Sequence, residues 1–292
     1  MNILVRKIKN DWTQMPGGLT WYFIGSPKTG KTTQASKWHK EGSKKVILID
    51  TDLGADFVDG ANIIPVVCLE QPTREMLENG KPVFVTEGNK KQQVFEPIPP
   101  EERGYYYRSG KDKGKPMPVF AFYEVLSWLR NEWNTLPYDA VAIDTIDKVN
   151  EWVEASVVKE LKIDNIADAE WGAGWNKAKN RVARGVEALQ DVLRKAGSDL
   201  IMTSHSKPSS VQDGKVQLAP DLPKGLAGLL TGKADVIGYT TASKTDGKYY
   251  VSFFSYDERA VGSRLEPLRQ KRLPFDYNAV VEELKTYKKK EA

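Results

Sequence analysis

One eight-residue stretch has the residue types and the spacing needed to hold a chain of phosphates. Gly25-Ser-Pro-Lys-Thr-Gly30-Lys31-Thr32 matches the pattern GxxxxGK[ST] in full, with an apolar segment before it and a helix-compatible segment after it. Glycines let such a loop curl so that successive N–H groups face phosphate oxygens, and the following helix N-terminus adds partial positive charge. Lys31 would reach the β- and γ-phosphates and the Thr32 hydroxyl would ligate Mg²⁺, so the loop predicts magnesium-dependent binding of a nucleoside triphosphate such as ATP.

An acidic residue at the end of a buried strand normally lies beside such a magnesium ion. The apolar run Ala140-Val-Ala-Ile-Asp144 fits this description, and Asp144 joins Thr32 as the predicted metal-binding pair. Asp144 could instead cap the helix that follows it, and the two roles are compatible. The predicted nucleotide-binding residues are those of the loop and the next threonine: Gly25, Ser26, Pro27, Lys28, Thr29, Gly30, Lys31, Thr32 and Thr33.

Hydrolysis also requires a group that orients a water molecule. Asp52 follows the apolar run Val46–Asp50 and is the first candidate, whereas Glu70, after the next apolar run, is the reserve; a loop carboxylate or a cap is the alternative for Asp52. His205 follows the predicted strand 200–203 and could sense the γ-phosphate, although a lone histidine is more often structural. The predicted catalytic set is therefore Lys31, Asp52, Asp144 and His205.

The elements that must position these residues alternate between short apolar runs and longer helical patterns, which predicts an α/β fold with a mostly parallel sheet flanked by helices. The predicted strands are 19–24, 46–50, 63–69, 140–144, 200–203 and a closing pair at 236–241 and 249–255. The predicted helices are 31–41, a short one around 73–78, 120–133, 146–161 and one whose apolar positions run from 182 to 193.

Three stretches interrupt this alternation. Residues 80–118 are rich in Pro and Gly and predict an insertion, either an irregular β-rich excursion or a mobile flap. Residues 206–225 lack periodicity and predict a long loop, and residues 285–292 predict a frayed basic tail. The whole chain, 1–292, is interpreted as one domain that contains the insertion.

Composition excludes several classes of protein. The 292 residues carry 43 Lys and Arg against 39 Asp and Glu, a net charge of +4 that permits contact with nucleic acid without arguing for it. A single cysteine excludes a disulfide framework, and two histidines are too few for a histidine-rich metal site. No apolar run approaches the length of a membrane span and no signal peptide is apparent, so a cytoplasmic protein is expected.

The order of these features resembles the RecA-type recombinase core over residues 19–256. The matching segments are Gly30-Lys-Thr-Thr33, Ile49-Asp-Thr-Asp52, Glu70-Gln-Pro-Thr73 and Val141-Ala-Ile-Asp144. In this resemblance Asp52 takes the place of the catalytic glutamate, and Ser204-His205 takes the place of the phosphate-sensing Asn-Gln. Segments 167–175 and 206–225 fall on the family's two DNA-binding loops. The Asp and His replacements put the hydrolytic rate and its coupling to DNA in question.

The short chain and its proline-rich insertion are similar to the phage RecA-like single-strand annealing group. This resemblance implies ATP- and Mg²⁺-linked annealing or strand exchange on single-stranded DNA, with a single-strand-binding protein as a possible partner, in the host cell cytoplasm. It also implies a ring or filament of identical subunits in which a basic residue reaches the neighbour's nucleotide. The candidates for that contact between subunits are Arg264, Arg269, Lys271 and Arg272, and an ordinary basic surface is the alternative.

Aromatic and basic residues on the two loop segments support contact with DNA. Single-strand binders combine basic grooves with aromatic rings on which bases stack. The candidate residues are Trp171, Trp175, Lys177, Lys179, Lys207, Lys215 and Lys224. Each has an alternative, because a tryptophan at a helix start is commonly core and a lysine cluster is commonly a solvated face. Two other functions stay open: a RecA-like helicase, helicase loader or assembly motor, and a regulatory nucleotide-binding module with little turnover.

Overall fold

A mostly parallel β-sheet forms the centre of the fold. The computed structural model describes residues 11–39, 45–87, 90–212, 215–254 and 261–287. The strands of this sheet and of three small hairpins are β1 (Thr20–Gly25), β2 (Lys45–Asp50), β3 (Asn62–Cys68), β4 (Thr73–Glu75), β5 (Leu77–Glu78), β6 (Lys81–Pro82), β7 (Phe84–Glu87), β8 (Lys90–Gln93), β9 (Phe95–Pro97), β10 (Phe120–Ala121), β11 (Tyr138–Asp144), β12 (Asp199–Gln212), β13 (Lys215–Pro220), β14 (Val236–Ala242), β15 (Tyr249–Ser252), β16 (Gly262–Ser263) and β17 (Arg272–Pro274). The helices are α1 (Lys31–Ala35), α2 (Phe122–Glu132), α3 (Ile146–Leu161), α4 (Ala173–Lys195), α5 (Lys224–Lys233) and α6 (Tyr277–Thr286).

The strand order explains the continuous apolar runs in the sequence. The sheet runs β10-β3-β2-β11-β12-β1-β14-β15-β17, and every neighbouring pair from β10 to β14 is parallel. In β1, Tyr22 and Ile24 pack on one face with α2–α5, whereas Trp21 and Phe23 pack on the other with residues of α1 and α6. Burial on both faces requires apolar residues at every position. The predicted α/β fold with a mostly parallel sheet and flanking helices is confirmed.

The carboxyl ends of β1, β2, β11 and β12 meet at one edge of the sheet. In register, Gly25 of β1 is opposite His205 of β12, and Asp50 of β2 is opposite Asp144 of β11. Loops that leave parallel strands at this edge collect side chains from distant parts of the chain, and ligands of open α/β sheets bind there. The predicted chemistry therefore falls at one place in the fold.

Two segments differ from their sequence-based predictions. Residues 206–225 do not form a long loop: β12 continues to Gln212 and pairs with β13 in an antiparallel hairpin, and α5 follows. The predicted short helix at 73–78 is wrong, because β4 and β5 occupy those residues and pair with β9 and β6. Helix α1 ends at Ala35, before the predicted residue 41.

The predicted insertion is built from short hairpins within its described residues. β7 pairs with β8, and a further hairpin over 105–117 is closed by a backbone hydrogen bond from Met117 N to Tyr105 O of 2.8 Å. Met117 and Val119 at its base are buried. The basic tail predicted at 285–292 lies outside the described residues from 288 onward.

Within the described part of the chain, no helix is both long enough and apolar enough to traverse a lipid bilayer.

Candidate nucleotide-binding site

The phosphate loop connects β1 directly to α1. Lys31 opens the helix, and its Nζ donates hydrogen bonds of 2.9 Å to Gly25 O and 2.9 Å to Ser26 O. Burial lowers the pKa of Lys31, whereas the nearby carboxylates of Asp144, Asp147 and Asp52 oppose that shift. The ammonium group is thus held inside the loop, next to the space that the loop encloses, as a phosphate-binding lysine requires.

Two glycines of the loop lie where any side chain would collide. Gly30 has a φ of 81°, and a Cβ there would lie 2.8 Å from the ring of Tyr249. A Cβ on Gly25 would lie 2.2 Å from the hydroxyl oxygen of Thr240. The Thr240 hydroxyl is in turn 2.7 Å from the Thr29 hydroxyl, which donates to Ser26 O. The loop therefore has its shape because both positions are glycine.

The predicted metal-binding pair is in direct contact. The Thr32 hydroxyl donates a 2.6 Å hydrogen bond to Asp144 Oδ2, and the Thr203 hydroxyl donates to the other carboxylate oxygen. Asp144 ends β11 and is buried. It does not act as the N-cap of α3, because Thr145 occupies that position, so the alternative of Asp144 as a cap is wrong.

These two ligands fit a magnesium ion that arrives with a nucleotide. Among the described residues no group of three or more His, Cys, Asp or Glu side chains could hold a metal. Mg²⁺ is commonly bound through one or two carboxylates together with substrate phosphates and water, and seldom by an all-protein cage. Thr32 and Asp144 would hold the ion, and its charge would offset the negative charge of the phosphates.

Asp52 lies in the same cleft, on a turn that follows β2. Burial raises the pKa of Asp52, and the nearby Asp144 carboxylate raises it further. The Thr145 hydroxyl donates a 3.4 Å hydrogen bond to Asp52 Oδ2. Glu70, the reserve candidate, does not line the cleft; it accepts a 3.4 Å hydrogen bond from Ser156 on α3. The geometry therefore favours Asp52 over Glu70.

His205 lies at the cleft with a buried carboxylate behind it. Asp147 Oδ2 accepts from His205 N at 2.7 Å and lies 3.0 Å from Nδ1, and its other oxygen accepts from the Ser204 hydroxyl. The hydrogen bond between the Asp147 carboxylate and the His205 ring raises the pKa of His205, whereas burial and the charge of Lys31 lower it. Sequence reasoning missed Asp147, although an acidic residue in the first turn of α3, three positions after Asp144, was a usable signal.

One cleft of about 440 Å³ brings the predicted residues together. Its lining residues are Pro27, Lys28, Gly30, Lys31, Thr32, Thr33, Asp52, Gly54, Phe57, Val58, Asp144, Thr145, His205 and Tyr249. All four predicted catalytic residues are among them. Sequence reasoning missed Phe57 and Tyr249, and it had no local signal for either, because Tyr249 reaches the loop only through pairing of β15 with β14.

Trp171 and Trp175 lie at the start of α4 and are not core residues. Trp171 is 98% exposed, has a φ of 53° and is followed by Gly172 with a φ of 68°. Trp175 is 39% exposed. The alternative that these tryptophans belong to the core is therefore wrong for Trp171.

The predicted basic residues differ in their partners. Lys177 pairs with Glu160, and Lys207 pairs with Asp221 at 2.9 Å. Lys179 and Lys224 make no ion pair within the described residues, and a Cβ on Gly225 would lie 3.6 Å from Lys179 Cδ, so the two lysines are neighbours. Lys215 opens β13, and its side chain lies outside the described part of the structure.

The four residues predicted to reach a neighbouring subunit are not among the residues that line the cleft of their own chain. Arg264 donates a 2.8 Å hydrogen bond to the Asp235 carboxylate. Asp235 N in turn donates to Thr20 O at the start of β1, so Arg264 lies at the edge of the sheet opposite the cleft. Arg269 donates to Ser263 O at 3.3 Å, and Lys271 pairs with Glu283 at 2.7 Å. Arg272 stacks 4.4 Å from the ring centre of Tyr250.

A glycine-rich loop between a strand and a helix, a buried lysine within it and a hydroxyl–carboxylate pair beside it define a P-loop nucleotide-binding domain. A comparison with protein families agrees: the model of the AAA domain family matches residues 18–267. The chain belongs to this AAA domain family. No curated protein matches the chain.

Proposed function

We propose that this protein is an ATP- and Mg²⁺-dependent, single-stranded-DNA-binding protein that promotes DNA annealing or strand exchange in phage recombination. The proposal includes a ring or filament of identical subunits, in which one of Arg264, Arg269, Lys271 and Arg272 contacts the neighbour's nucleotide. It also includes a single-strand-binding protein as partner and the host cytoplasm as location. The family match supports ATP binding in general, and the DNA part of the proposal has separate support.

The almost complete exposure of Trp171 is the observation that carries the DNA-binding proposal. An indole ring that packs against nothing costs solvation free energy in the free protein. Such a ring is available to stack on a base, and stacking of this kind contributes about 1–3 kcal/mol per base. Gly172 and the left-handed Trp171 turn the chain sharply before α4, which leaves the ring outside the helix packing.

Helix α3 contacts both candidate DNA segments and the residues of the nucleotide cleft. The pairing of β12 with β1 ends at His205, so the β12–β13 hairpin projects beyond the edge of the sheet that holds the nucleotide cleft. Helix α3 begins at the same edge of the sheet. Burial raises the pKa of Glu154 on α3, and the charge of Lys207 on the hairpin opposes this rise, so Lys207 lies close to Glu154. Lys177 and Arg181 of α4 contact Glu160 near the end of α3, which brings Trp171 to the far end of that helix.

Mutation of Trp171 tests the proposal directly. Trp171→Ala should weaken binding of a fluorescent oligo(dT) about fivefold or more, measured by anisotropy at low salt. Trp128→Ala is the matched control, since Trp128 of α2 is 39% exposed and lies elsewhere on the surface. The double variant Lys179→Ala/Lys224→Ala should bind DNA with a weaker dependence on salt. The slope of log affinity against log salt concentration should fall by about one for each phosphate that the protein no longer neutralises. Equal affinity of the Trp171 variant and wild type would argue against this surface.

Annealing is measured separately from binding. Complementary labelled strands should anneal faster with wild-type protein and ATP–Mg²⁺ than with Lys31→Ala. DNA binding followed by ATP-driven unwinding would instead identify a helicase, and a protein that binds no single-stranded DNA at low salt would refute the annealing proposal.

One observation favours a regulatory nucleotide-binding module as the second candidate. Asp52 takes the place of the longer catalytic glutamate of the RecA-type pattern, and its Oδ2 already accepts a 3.4 Å hydrogen bond from the Thr145 hydroxyl of the same protein. ATP affinity without measurable turnover, with or without DNA, would support this candidate.

A further inference from the structure

The turn that carries Asp52 into the cleft is held from inside by a buried carboxylate. Asp50 accepts hydrogen bonds from Gly54 N at 3.1 Å and from Ala55 N at 2.9 Å. Leu53 has a φ of 52°, a left-handed conformation that costs free energy in a residue other than glycine. Gly54 and Phe57 of this turn line the cleft with Asp52, and the Phe57 ring is 73% exposed. The conformation of this turn therefore sets one wall of the nucleotide site.

The same turn is held from outside by an arginine of the insertion. Arg108 donates from Nε to Asp56 Oδ2 at 2.6 Å and from Nη2 to Leu53 O, the carbonyl of the left-handed residue. Its guanidinium carbon lies 5.8 Å from the centre of the Phe57 ring. The next residue, Ser109, donates from its hydroxyl to Asp56 O at 3.3 Å. A guanidinium presents its donors in a rigid planar fork while its face packs on an aromatic ring, whereas a lysine ammonium is a compact point charge without that fixed geometry.

The hairpin that presents Arg108 is firmly attached to the core. Its closing bonds include Tyr107 N to Lys115 O at 3.0 Å, and Met117 at its end is buried. Arg103, just before the hairpin, has an almost fully buried side chain that donates to Val119 O at 2.8 Å and pairs with Glu124 of α2 at 3.0 Å. The insertion thus connects the sheet edge near β10 to the wall of the cleft.

We infer that Arg108 is a positioning residue for the nucleotide site: it fixes the Leu53–Phe57 turn, and with it Asp52 and Phe57, so that the insertion forms part of the cleft. The inference rests on nucleotide binding at this cleft and is independent of the DNA part of the proposed function. Removal of Arg108 leaves Leu53 O and the Asp56 carboxylate without these partners, and the turn is then held only by its remaining contacts with the fold.

Hydrogen exchange of the full-length protein without nucleotide tests the positioning itself. In Arg108→Ala, amides of residues 53–58 should exchange about three- to tenfold faster than in wild type, as loss of a charged hydrogen-bond pair at a partly exposed site predicts. Arg108→Lys should be intermediate, since it keeps a charge for Asp56 and loses the planar fork that reaches Asp56 and Leu53 O together. Arg74→Ala is the matched control: Arg74 is similarly exposed and pairs with Glu96 at 2.7 Å and Glu102 at 2.6 Å, away from the cleft.

Nucleotide measurements test the consequence for the site. For Arg108→Ala, the Kd of a fluorescent ATP analogue should rise and kcat should fall, each about three- to tenfold, because Phe57 and Asp52 both lose their fixed positions. Arg74→Ala should match wild type in both. The inference would be overturned if the amides of residues 53–58 exchanged at the same rate in Arg108→Ala and wild type. It would also be overturned if they exchanged faster in the variant while Kd and kcat stayed the same. A wild-type protein that binds no ATP analogue would refute the proposed function, whereas the exchange result would still decide whether Arg108 holds the turn.

Discussion

At the level of single residues, Asp144 lies between two hydroxyl groups from distant parts of the chain. Thr32 approaches one carboxylate oxygen from the phosphate loop, and Thr203 approaches the other from β12. Thr203 fixes the orientation of the carboxylate, so that the oxygen facing Thr32 is directed toward the cleft. A carboxylate oriented in this way needs little rearrangement to accept a metal ion.

Removal of the Thr32 hydroxyl should reduce the dependence of ATP affinity on magnesium, because Asp144 alone would then hold the ion. Thr32→Val keeps the shape of the side chain and loses the metal ligand, and we expect ATP affinity in saturating Mg²⁺ to fall about tenfold or more. Titration of a fluorescent ATP analogue with Mg²⁺ or with EDTA measures this difference. Thr231→Val on α5 is the control, because its hydroxyl bonds only to carbonyls of its own helix. Equal stimulation by Mg²⁺ in the Thr32 variant and wild type would exclude Thr32 as a ligand.

The His205–Asp147 pair should make stability depend on pH. Asp147 raises the pKa of His205 above its ordinary value of 6.5, burial and Lys31 lower it, and Asp52 raises it. The protonated histidine therefore stabilises the folded state fully below about pH 6.5, and this contribution is lost as the pH rises through the folded-state pKa. Urea unfolding should show that the free energy of unfolding of wild type exceeds that of His205→Gln by the largest amount at low pH. Asp147→Asn should remove the same pH dependence, whereas a constant difference between wild type and His205→Gln would contradict it.

At the level of elements, sequence reasoning succeeded where a pattern had a local cause. The phosphate loop and the buried strand ending at Asp144 needed no tertiary information, and α3 was predicted with its observed bounds. The β12–β13 hairpin was missed because its outer part extends beyond the sheet, so no buried face imposes an apolar alternation on it. Pro208 and the bulge beside it also disguise the strand. Asp147 was missed although its position in the first turn of α3 was a usable signal, and Tyr249 was missed because it reaches the phosphate loop only through the pairing of β15 with β14.

The junction of the phosphate loop with β15 provides a test at this scale. Gly30→Ala should impair nucleotide binding for two reasons. The backbone has a φ of 81°, which alanine adopts only with strain, and the added Cβ would lie 2.8 Å from the Tyr249 ring. Gly114→Ala is the matched control, since Gly114 has a φ of 83° with no atom near its Cβ position. Both variants should lose about 1–2 kcal/mol of unfolding free energy from the backbone alone. Only Gly30→Ala should lose ATP affinity, with partial recovery when Tyr249→Ala is added; no loss in Gly30→Ala would show that the ring moves aside freely.

At the level of the whole molecule, the cleft collects residues from α1, β11, β12, β15 and the loops that follow β1 and β2, so a bound nucleotide links elements from distant parts of the chain. A ligand that binds only the folded state stabilises it by about 2.7 kcal/mol at one hundred times its Kd. ATP–Mg²⁺ should therefore raise the Tm of wild type by roughly 5 °C at that concentration. Lys31→Ala should show no such rise, measured by thermal unfolding at equal protein concentration. A similar rise in both proteins would place the nucleotide elsewhere.

The continuation of β12 beyond the cleft has a consequence for how this chain can vary. Thr203, Ser204 and His205 serve the cleft, and the same strand continues for seven residues, roughly 23 Å, into the hairpin. Side chains alternate faces along a strand, so one residue added after His205 would exchange the two faces of the whole hairpin. Insertions at this junction should therefore be tolerated in pairs and rejected singly.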